Sequence, residues 1–365
     1  MRIIRHEITN FRNIAHADLE LSETVNIFYG INGEGKTNFL ESMYLLSGAK
    51  SFRKSSDRDL IKDDTEAALI NTRFFGFGRE QTEKLSISSG GRTVSLNRGQ
   101  EEPASRMAGK FLCSVFSPEH LSLVKGSPNL RRKFLDSLLC QIYPGYIATM
   151  RLYSRLVIQK NALLKDVKTV PAAYDMMEVF DSQLASEGTK ITKARAMLCT
   201  ELLDKFKEHY RTISSGREEV SFSYRSTLFP NGEDITEENA LSGIKAGLAD
   251  DIRTGIFRIG PHRDDILMTI DGRDMRIYAS QGQQRSTVLA LKMTEADYIE
   301  KKTGEKPILL LDDVMSELDS SRQDRMIDMM EGTQTVMTCC DPGSIKERTG
   351  ARMFHVEAGE ATACT

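Results

Sequence analysis

The sequence has no run of apolar residues long enough to span a bilayer, which takes about 18 or more. Hydrophobic residues make up 40% of the 365-residue chain, but charged residues, at 28%, interrupt them. Residues 1–7 also lack the apolar core of a secretion signal. We therefore expect a cytoplasmic protein that does not associate with a membrane.

Paired cysteines are missing as well. The six cysteines are scattered, and no C-x-x-C pair or histidine-rich partner accompanies them. Zinc sites usually show such spacing, so we predict free thiols and no zinc. Only Cys339 and Cys340 are adjacent, and neighbouring side chains of a strand point to opposite faces.

A basic surplus is also absent, since 49 Lys and Arg residues face 52 Asp and Glu residues and the net charge is −3. Nucleic-acid-binding proteins usually carry such a surplus, so a constitutive DNA binder is disfavoured. Local basic clusters remain candidates for DNA phosphate contacts, although each is more often a solvated helix face. These clusters are Arg131, Arg132 and Lys133; Arg151 and Arg155; and Arg253, Arg258 and Arg263.

The most informative pattern that is present is G-x-x-x-x-G-K-[ST], which predicts a phosphate-binding loop. It follows a β-rich run at residues 25–29 and precedes a helical pattern at 38–46. We therefore predict ATP binding by the residues of this loop. They are Gly30, Ile31, Asn32, Gly33, Glu34, Gly35, Lys36 and Thr37.

The residue types of the loop fit this chemistry. The glycines let successive N–H groups turn toward one anion, and the following helix presents its positive end to the same phosphates. Lys36 supplies a charge to the β- and γ-phosphates, and is predicted to be catalytic. The hydroxyl of Thr37 suits Mg²⁺, a hard cation that prefers oxygen ligands.

A second acidic site is predicted where an apolar run, residues 307–311, ends in Asp312 and Asp313. Four successive apolar residues suit a central strand of a parallel sheet, and ligands bind at the carboxyl ends of such strands. We assign Asp312 to the Mg²⁺ ligands. We assign Asp313 to activating the attacking water.

The order of motifs is diagnostic. A polar turn at Ser280, Gln281, Gly282 and Gln283 opens a helical pattern before the apolar run, and Ser316 and Asp319 follow the paired aspartates. This order resembles the ABC-type ATPases, in which the two flanking motifs are the signature and the D-loop. The resemblance implies an α/β fold, with an ATPase head of mixed sheet and helices split by a mainly helical second domain.

Within that class the chain resembles the RecF family of bacterial DNA replication and repair proteins, and the matching stretches cover most of its length. Two of them, G-P-H-R-D-D and Y-A-S-Q-G-Q-Q-R, are far more particular than the loop. In order, the stretches are I-T-N-F-R-N at 8–13, the loop at 30–37, F-S-P-E-H-L at 116–121, G-S-P at 126–128, R-R-K-F-L-D at 131–136, G-P-H-R-D-D at 260–265, Y-A-S-Q-G-Q-Q-R at 278–285 and L-L-D-D-V-M-S-E-L-D at 310–319.

The resemblance implies an ATP-dependent homodimer in which the signature turn of one protomer closes over the nucleotide of the other. It further implies binding to gapped, single-stranded or junction DNA without sequence specificity. A recombination mediator of the RecR type is the implied partner, in recombinational repair and the SOS response. The implied activity is a weak, DNA-stimulated ATPase whose hydrolysis releases the dimer.

Two departures from the wider class indicate slow turnover. Asp313 stands where transporters and SMC heads usually have Glu, and a shorter side chain places the base farther from the water. The later strand at residues 335–340 carries no His, and Thr338 is a weaker candidate for sensing the γ-phosphate.

The expected domains are residues 1–115 and 246–365 for the head and 116–245 for the helical insert. Two hairpins are predicted, one around Gly90 and Gly91 and one around Asp271 and Gly272, with residues 275–278 as a strand of the second. Residues 11–13 could contact adenine or ribose, or form an ordinary turn. Residues 260–265 could hold a turn, or let His262 and Arg263 touch nucleotide or DNA.

Two other function classes fit the sequence less well. An energy-coupling ATPase of a membrane transporter is disfavoured by the missing Glu after Asp312 and by the size of the insert. An SMC-type head within a chromosome complex needs long coiled-coil arms, and no sustained heptad is present.

Overall fold

The computed structural model describes residues 1–53, 55–167, 172–214, 216, 218–230 and 232–364. The side chains of residues 172–175, 317, 329, 344, 346 and 347 lie outside this description. The chain divides into two compact units. Unit 1 comprises Met1–Leu121, Glu208–Gly216 and Gln281–Thr365, and unit 2 comprises Ser122–Lys207 and Arg217–Ser280.

Most of the described strands lie in unit 1. In chain order the strands of the protein are β1 Arg2–Phe11, β2 Ile14–Glu20, β3 Val25–Tyr29, β4 Ala67–Gly76, β5 Arg79–Ser88, β6 Gly91–Leu96, β7 Glu102–Pro103, β8 Cys113–Phe116, β9 Val220–Arg225, β10 Asp265–Ile270, β11 Arg273–Asp274, β12 Ile308–Asp312, β13 Thr335–Cys339, β14 Arg352–Glu357 and β15 Glu360–Cys364.

The helical pattern predicted at residues 38–46 lies mostly within the first helix. The helices are α1 Lys36–Leu45, α2 Ser122–Lys125, α3 Pro128–Ile142, α4 Tyr146–Asp166, α5 Ala172–Ser214, α6 Glu237–Thr254, α7 Met275–Tyr278, α8 Gln281–Thr303, α9 Ser320–Met330 and α10 Gly343–Thr349. Helix α5 contributes its last turns to unit 1 and the rest to unit 2.

Unit 1 contains two six-stranded sheets. The first has the order β2-β1-β4-β5-β6-β7 and is antiparallel. The second has the order β15-β14-β3-β13-β12-β8, and all of its strands except the edge strand β15 are parallel. Every residue of β12 and β13 is buried, which confirms the prediction of a central strand at residues 307–311.

An aromatic stack fixes α1 against the parallel sheet. Phe28 of β3 stacks on Phe39 of α1 at a centroid distance of 5.1 Å and on Phe354 of β14 at 4.8 Å. All three rings are at most 1% exposed, so this packing is part of the hydrophobic core. The loop between β3 and α1 is therefore held at both ends by rigid elements.

Unit 2 contains helices α2–α4, α6 and α7, most of α5, and a three-stranded antiparallel sheet of order β11-β10-β9. Strand β10 pairs with β9 along its whole length, from Asp265 opposite Arg225 to Ile270 opposite Val220. This pairing explains why residues 246–280 belong to unit 2, whereas the expected domain boundaries assign them to the head.

Both predicted hairpins are present, and one detail of the second was wrong. Strands β5 and β6 flank the turn at Gly90, and β10 and β11 flank Asp271 and Gly272. However, residues 275–278 form helix α7, which Asp274 caps through a hydrogen bond from Arg276 N. Four residues are too few for periodicity to separate a strand from a helical turn.

Candidate nucleotide-binding site

The predicted phosphate loop joins β3 to α1, and its conformation requires glycine. Gly30, Gly33 and Gly35 have φ values of 153°, 96° and 105°. Helix α1 begins directly after Gly35, and no side chain caps its N-terminus. The first N–H groups of the helix are therefore available to an anion, and the helix dipole favours negative charge there.

The side chain of Lys36 lies within the loop and is only 6% exposed. Its Nζ donates to the carbonyl oxygens of Gly30 at 2.7 Å and Ile31 at 2.9 Å, and to Asn32 Oδ1 at 3.3 Å. Phosphate oxygens are stronger acceptors for an ammonium group than these carbonyls. The loop thus holds a cation where a triphosphate would be bound.

Thr37 and Asp312 are in direct contact, although 275 residues separate them. The Thr37 hydroxyl donates to Asp312 Oδ1 at 2.8 Å, and the Thr338 hydroxyl donates to the same oxygen at 2.9 Å. Burial raises the pKa of Asp312, while these two hydrogen bonds oppose the rise. A hydroxyl and a carboxylate beside a phosphate site are ligands that suit Mg²⁺.

Asp313 has an unusual backbone. Its φ is 50°, which is rare for a residue with a side chain. Its N–H donates to Thr338 Oγ1 at 2.9 Å, and its Oδ1 accepts from the Ser316 hydroxyl at 3.0 Å. These contacts hold Asp313 beside Asp312. A backbone conformation as unfavourable as that of Asp313 tends to occur at functional sites.

The signature residues lie at the start of α8, and the D-loop residue Asp319 lies at the start of α9. Ser280 and Gln281 are exposed where α8 begins. Asp319 caps α9 by accepting from Arg322 N at 3.1 Å. Arg322 Nε in turn donates to Ser286 Oγ at 3.0 Å, so one guanidinium joins the start of α9 to α8, the helix that begins with the signature.

Residues 11–13 contact the loop and its helix. Phe11 is fully buried in the core. Arg12 donates through Nε and Nη2 to the carboxylate of Glu41 on α1, at 2.9 and 2.8 Å. Asn13 Nδ2 donates to the carbonyl of Glu34 at 3.0 Å. The turn therefore supports the loop, and contact with adenine or ribose stays a prediction.

Residues 260–265 are largely engaged within unit 2, which favours their structural role. The carboxylate of Asp264 accepts from the Tyr224 hydroxyl at 2.6 Å and from the Thr227 hydroxyl at 2.7 Å. Tyr153 and the ring of His262 are linked at 2.8 Å, and burial lowers the pKa of His262 to about 4. Only Arg263 of this stretch is exposed.

The basic clusters separate into engaged and exposed residues. Arg131 is buried, pairs with Asp265 at 2.6 Å and donates to three backbone carbonyls, which leaves it no capacity for DNA. Arg253 and Arg258 both pair with Asp250. Within the part of the chain that the structure describes, Arg151, Arg155 and Arg263 are exposed and form no ion pair.

Sequence reasoning missed one acidic residue of the site, Glu41, and the contacts of another, Glu34. Glu41 is fully buried and pairs with Arg12, and Arg53 lies 3.6 Å from it. The sequence signal for Glu41 was its position, because it lies one helical turn after Thr37 on the apolar side of α1. The contacts of Glu34 with residues 358 and 359 had no local signal, because the partners are 324 residues apart.

No described helix is long and apolar enough to cross a membrane. Among the described residues, no group of three or more His, Cys, Asp or Glu side chains is arranged to hold a metal ion. A cation at Thr37 and Asp312 would therefore depend on phosphate and water for its remaining ligands, as Mg²⁺ at nucleotide sites does.

Comparison with known proteins independently supports the predicted α/β ATPase head. The family model described as the RecF/RecN/SMC N-terminal domain matches residues 2–360. The DNA replication and repair protein RecF of Bacillus subtilis (strain 168) is 37% identical, with 98% of this chain and 99% of that protein covered. The protein of the same name from Agathobacter rectalis is 36% identical, with 97% of each chain covered.

Solved structures agree with these relatives. A structure of the recombination mediator protein RecF with ATP, described as part of the RecFOR pathway, superimposes with a TM-score of 0.92 at 31% identity. It covers 100% of this chain and 98% of its own. The Smc head domain of Pyrococcus furiosus matches with a TM-score of 0.56 at 14% identity, which shows a shared fold. The predicted α/β ATPase head is thereby confirmed.

Proposed function

This chain belongs to the RecF family of DNA replication and repair proteins, and we propose that it is an ATP-dependent DNA-binding protein whose two heads pair around nucleotide. The observation that carries the proposal is the 2.8 Å hydrogen bond from Thr37 to Asp312. It joins the phosphate loop to the acidic strand end, and an ABC-type ATPase needs both at one place.

In the proposed site, Lys36 and the N-terminus of α1 hold the β- and γ-phosphates. Thr37 and Asp312 hold Mg²⁺, which neutralises charge on these phosphates. Asp313 accepts the proton of the attacking water. Because the aspartate side chain is short, we expect slow hydrolysis, suited to timing the release of the dimer.

The proposed dimer places residues 280–283 of one protomer against the γ-phosphate held by the other. The proposed interface brings the phosphate loop of one protomer to the signature of the other. Three of the most exposed large apolar residues lie in or beside these two segments. Ile31 of the loop is 72% exposed, and Ile277 and Tyr278, just before the signature, are 71% and 59% exposed. Exposed apolar groups of this size often mark an interface. In a dimer with two-fold symmetry, the loop of each protomer faces the signature of the other, so this contact occurs twice.

DNA binding is proposed to follow from pairing. Within the described residues, Arg151, Arg155 and Arg263 are exposed and form no ion pair. A dimer presents two copies of each, and multivalency raises affinity. Phosphate contacts carry no sequence information, so shape or junctions would be recognised. The preference for single-strand gaps, the RecR-type mediator and the loading of recombinase rest on family membership.

The deciding experiment is particle mass by light scattering without nucleotide, with ADP and with a slowly hydrolysed ATP analogue, each with and without gapped DNA. We expect a dimer with the analogue alone. Lys36→Ala should neither bind the analogue nor pair, whereas Ser280→Arg should bind it and remain monomeric. A wild-type chain that stays monomeric with bound analogue rejects the paired mechanism, and a dimeric Ser280→Arg chain rejects the trans signature.

A further inference from the structure

The phosphate loop is attached to the turn between β14 and β15, which we name the C-terminal hairpin tip (residues 357–360). Two successive N–H groups of this tip point at one loop residue. The N–H of Gly359 donates to the carbonyl oxygen of Glu34 at 2.9 Å. The N–H of Ala358 donates to the Glu34 carboxylate. Glu34 thus accepts from the tip through both its backbone and its side chain.

The shape of the tip suits this role. Ala358 and Gly359 have φ values of 50° and 83°, so both lie in the left-handed region. Consecutive N–H groups in such a turn form a concavity that binds anions. Here the N–H of Ala358 donates to a carboxylate of the same chain, and the N–H of Gly359 donates to the backbone carbonyl of the same residue. Ala358 adopts a conformation that is unfavourable for a residue with a Cβ, which is consistent with the turn being held in place by Glu34.

Close packing fixes the loop and the tip against each other. A Cβ on Gly359 would lie 2.6 Å from the carbonyl oxygen of Asn13. A Cβ on Gly30 would lie 2.4 Å from the carbonyl oxygen of Val356. Asn13 also donates to the Glu34 carbonyl at 3.0 Å. Gly30 at the start of the loop and Glu34 near its middle therefore both contact β14 or its turn.

A free carboxylate in this loop would oppose nucleotide binding, because it would repel the phosphates. The N–H of Ala358 donates to this carboxylate, which compensates part of its charge and holds the side chain. We propose that Glu34 is a positioning residue that ties the phosphate loop to the C-terminal hairpin tip and thereby sets the affinity for the phosphates of the nucleotide. This proposal rests on the proposed ATP site at residues 30–37.

Charge and positioning predict different results, which makes the proposal testable. If Glu34 acted only as a negative charge, Glu34→Gln and Glu34→Ala would both tighten ATP binding equally. If Glu34 positions the loop, only Gln restores an acceptor for the Ala358 N–H. Because both variants lack the charge, their ratio isolates the hydrogen bond, and losing one acceptor corresponds to about a fivefold change in an equilibrium constant.

The experiment measures the dissociation constant of a fluorescent ATP analogue for the full chain and both variants, with thermal unfolding to confirm folding. We expect Glu34→Gln to bind at least as tightly as wild type and Glu34→Ala to bind about fivefold more weakly than Glu34→Gln. Equal affinities of the two variants would overturn the proposal. If wild type does not bind the analogue, the proposed ATP site itself fails, and this inference fails with it.

A second pair of variants tests the same contact by changing the hairpin tip instead of the phosphate loop. Gly359→Ala introduces a Cβ against Asn13, whereas Gly78→Ala is a matched control. Gly78 lies in the β4–β5 turn at φ 75°, and a Cβ there would meet nothing within 4 Å. We expect Gly359→Ala alone to weaken ATP binding. We also expect ATP to slow amide hydrogen exchange at residues 358 and 359 of wild type. Equal affinities of the two glycine variants, or exchange at the tip that ATP leaves unchanged, would contradict the coupling.

Discussion

The hydroxyl oxygen of Thr338 lies 2.9 Å from Asp312 Oδ1, and the two residues stand side by side on neighbouring parallel strands. The same hydroxyl accepts the N–H of Asp313 at 2.9 Å. One threonine therefore contacts both aspartates to which we assign Mg²⁺ binding and water activation. The wider ABC class often has a histidine on this strand, and here a neutral hydroxyl connects the acidic pair instead.

We predict that Thr338→Val slows single-turnover ATP hydrolysis about tenfold or more and leaves the ATP dissociation constant within about twofold. The variant keeps the shape of the side chain but removes the donor to Asp312 and the acceptor for Asp313 N–H. Thr338→Ser should restore hydrolysis. Thr335→Val, on the same buried strand, is the control for lost stability. Equal rates for Thr338→Val and Thr335→Val would show that Thr338 has no part in hydrolysis.

Features that depend on neighbouring residues were predictable from the sequence. The loop at residues 30–37 and the strand ending at Asp312 carry strong local patterns, and both occur where expected. The sequence assigns Thr37 and Asp312 to one Mg²⁺ site, because ligands of such sheets bind at the carboxyl ends of the strands. The boundary of unit 2 was not predictable in this way, since it depends on the pairing of β10 with β9.

Contacts between distant segments were also beyond sequence reasoning. Arg131 belongs to a basic run that suggests DNA contact. Its guanidinium, however, forms an ion pair with Asp265, which is 134 residues away. Glu34 meets its hairpin partner across 324 residues. No periodicity or motif reports such pairs, because they are decided by how the elements pack rather than by local propensity.

Arg322 is predicted to affect pairing of the heads without affecting nucleotide binding by one chain. Its guanidinium contacts Asp319 and donates to Ser286 Oγ, so it fixes the D-loop against the signature helix α8. We expect Arg322→Ala to weaken ATP-driven dimerisation about tenfold, measured by light scattering over a concentration series.

Arg348→Ala is the control for this change, because Arg348 pairs with Asp324 on the same helix, α9. It removes an exposed ion pair, and such pairs contribute little to stability. If both variants dimerise like wild type, the contact between the D-loop and α8 is not needed for pairing.

Exposed arginines of α4 are predicted to contribute to DNA binding. Arg151 and Arg155 are four residues apart, so they lie on one face of the helix, and both are exposed. We expect the double variant Arg151→Ala, Arg155→Ala to bind gapped DNA more weakly in the presence of ATP. The slope of log affinity against log salt should fall by about 0.9 for each phosphate contact that is lost.

Arg253→Ala provides the comparison for this measurement. Arg253 is 72% exposed but pairs with Asp250 at 2.8 Å, so its charge is partly neutralised within the chain. A salt slope that changes in Arg253→Ala and stays constant in the double variant would place the DNA-binding surface elsewhere in the protein.

Glu83 of β5 is predicted to reduce the stability of the fold in a pH-dependent manner. It is fully buried, and neither carboxyl oxygen has a hydrogen-bond partner among the described residues. Burial raises the pKa of Glu83 well above its usual value, and the charge of Lys110 opposes this only in part. The folded protein therefore holds the proton at a pH where the unfolded chain has released it.

Stability must consequently fall as the pH rises above the pKa of the unfolded carboxyl, by up to about 1.4 kcal/mol per pH unit, until the pKa of the folded group is reached. Glu83→Met keeps a similar volume and removes the titrating group. We expect it to increase the free energy of unfolding, and the increase should be larger at pH 8 than at pH 5 in urea titrations. Glu80→Met, at an exposed position of the same strand, should show no such difference. A gain from Glu83→Met that is equal at both pH values would mean that Glu83 titrates normally in the folded protein.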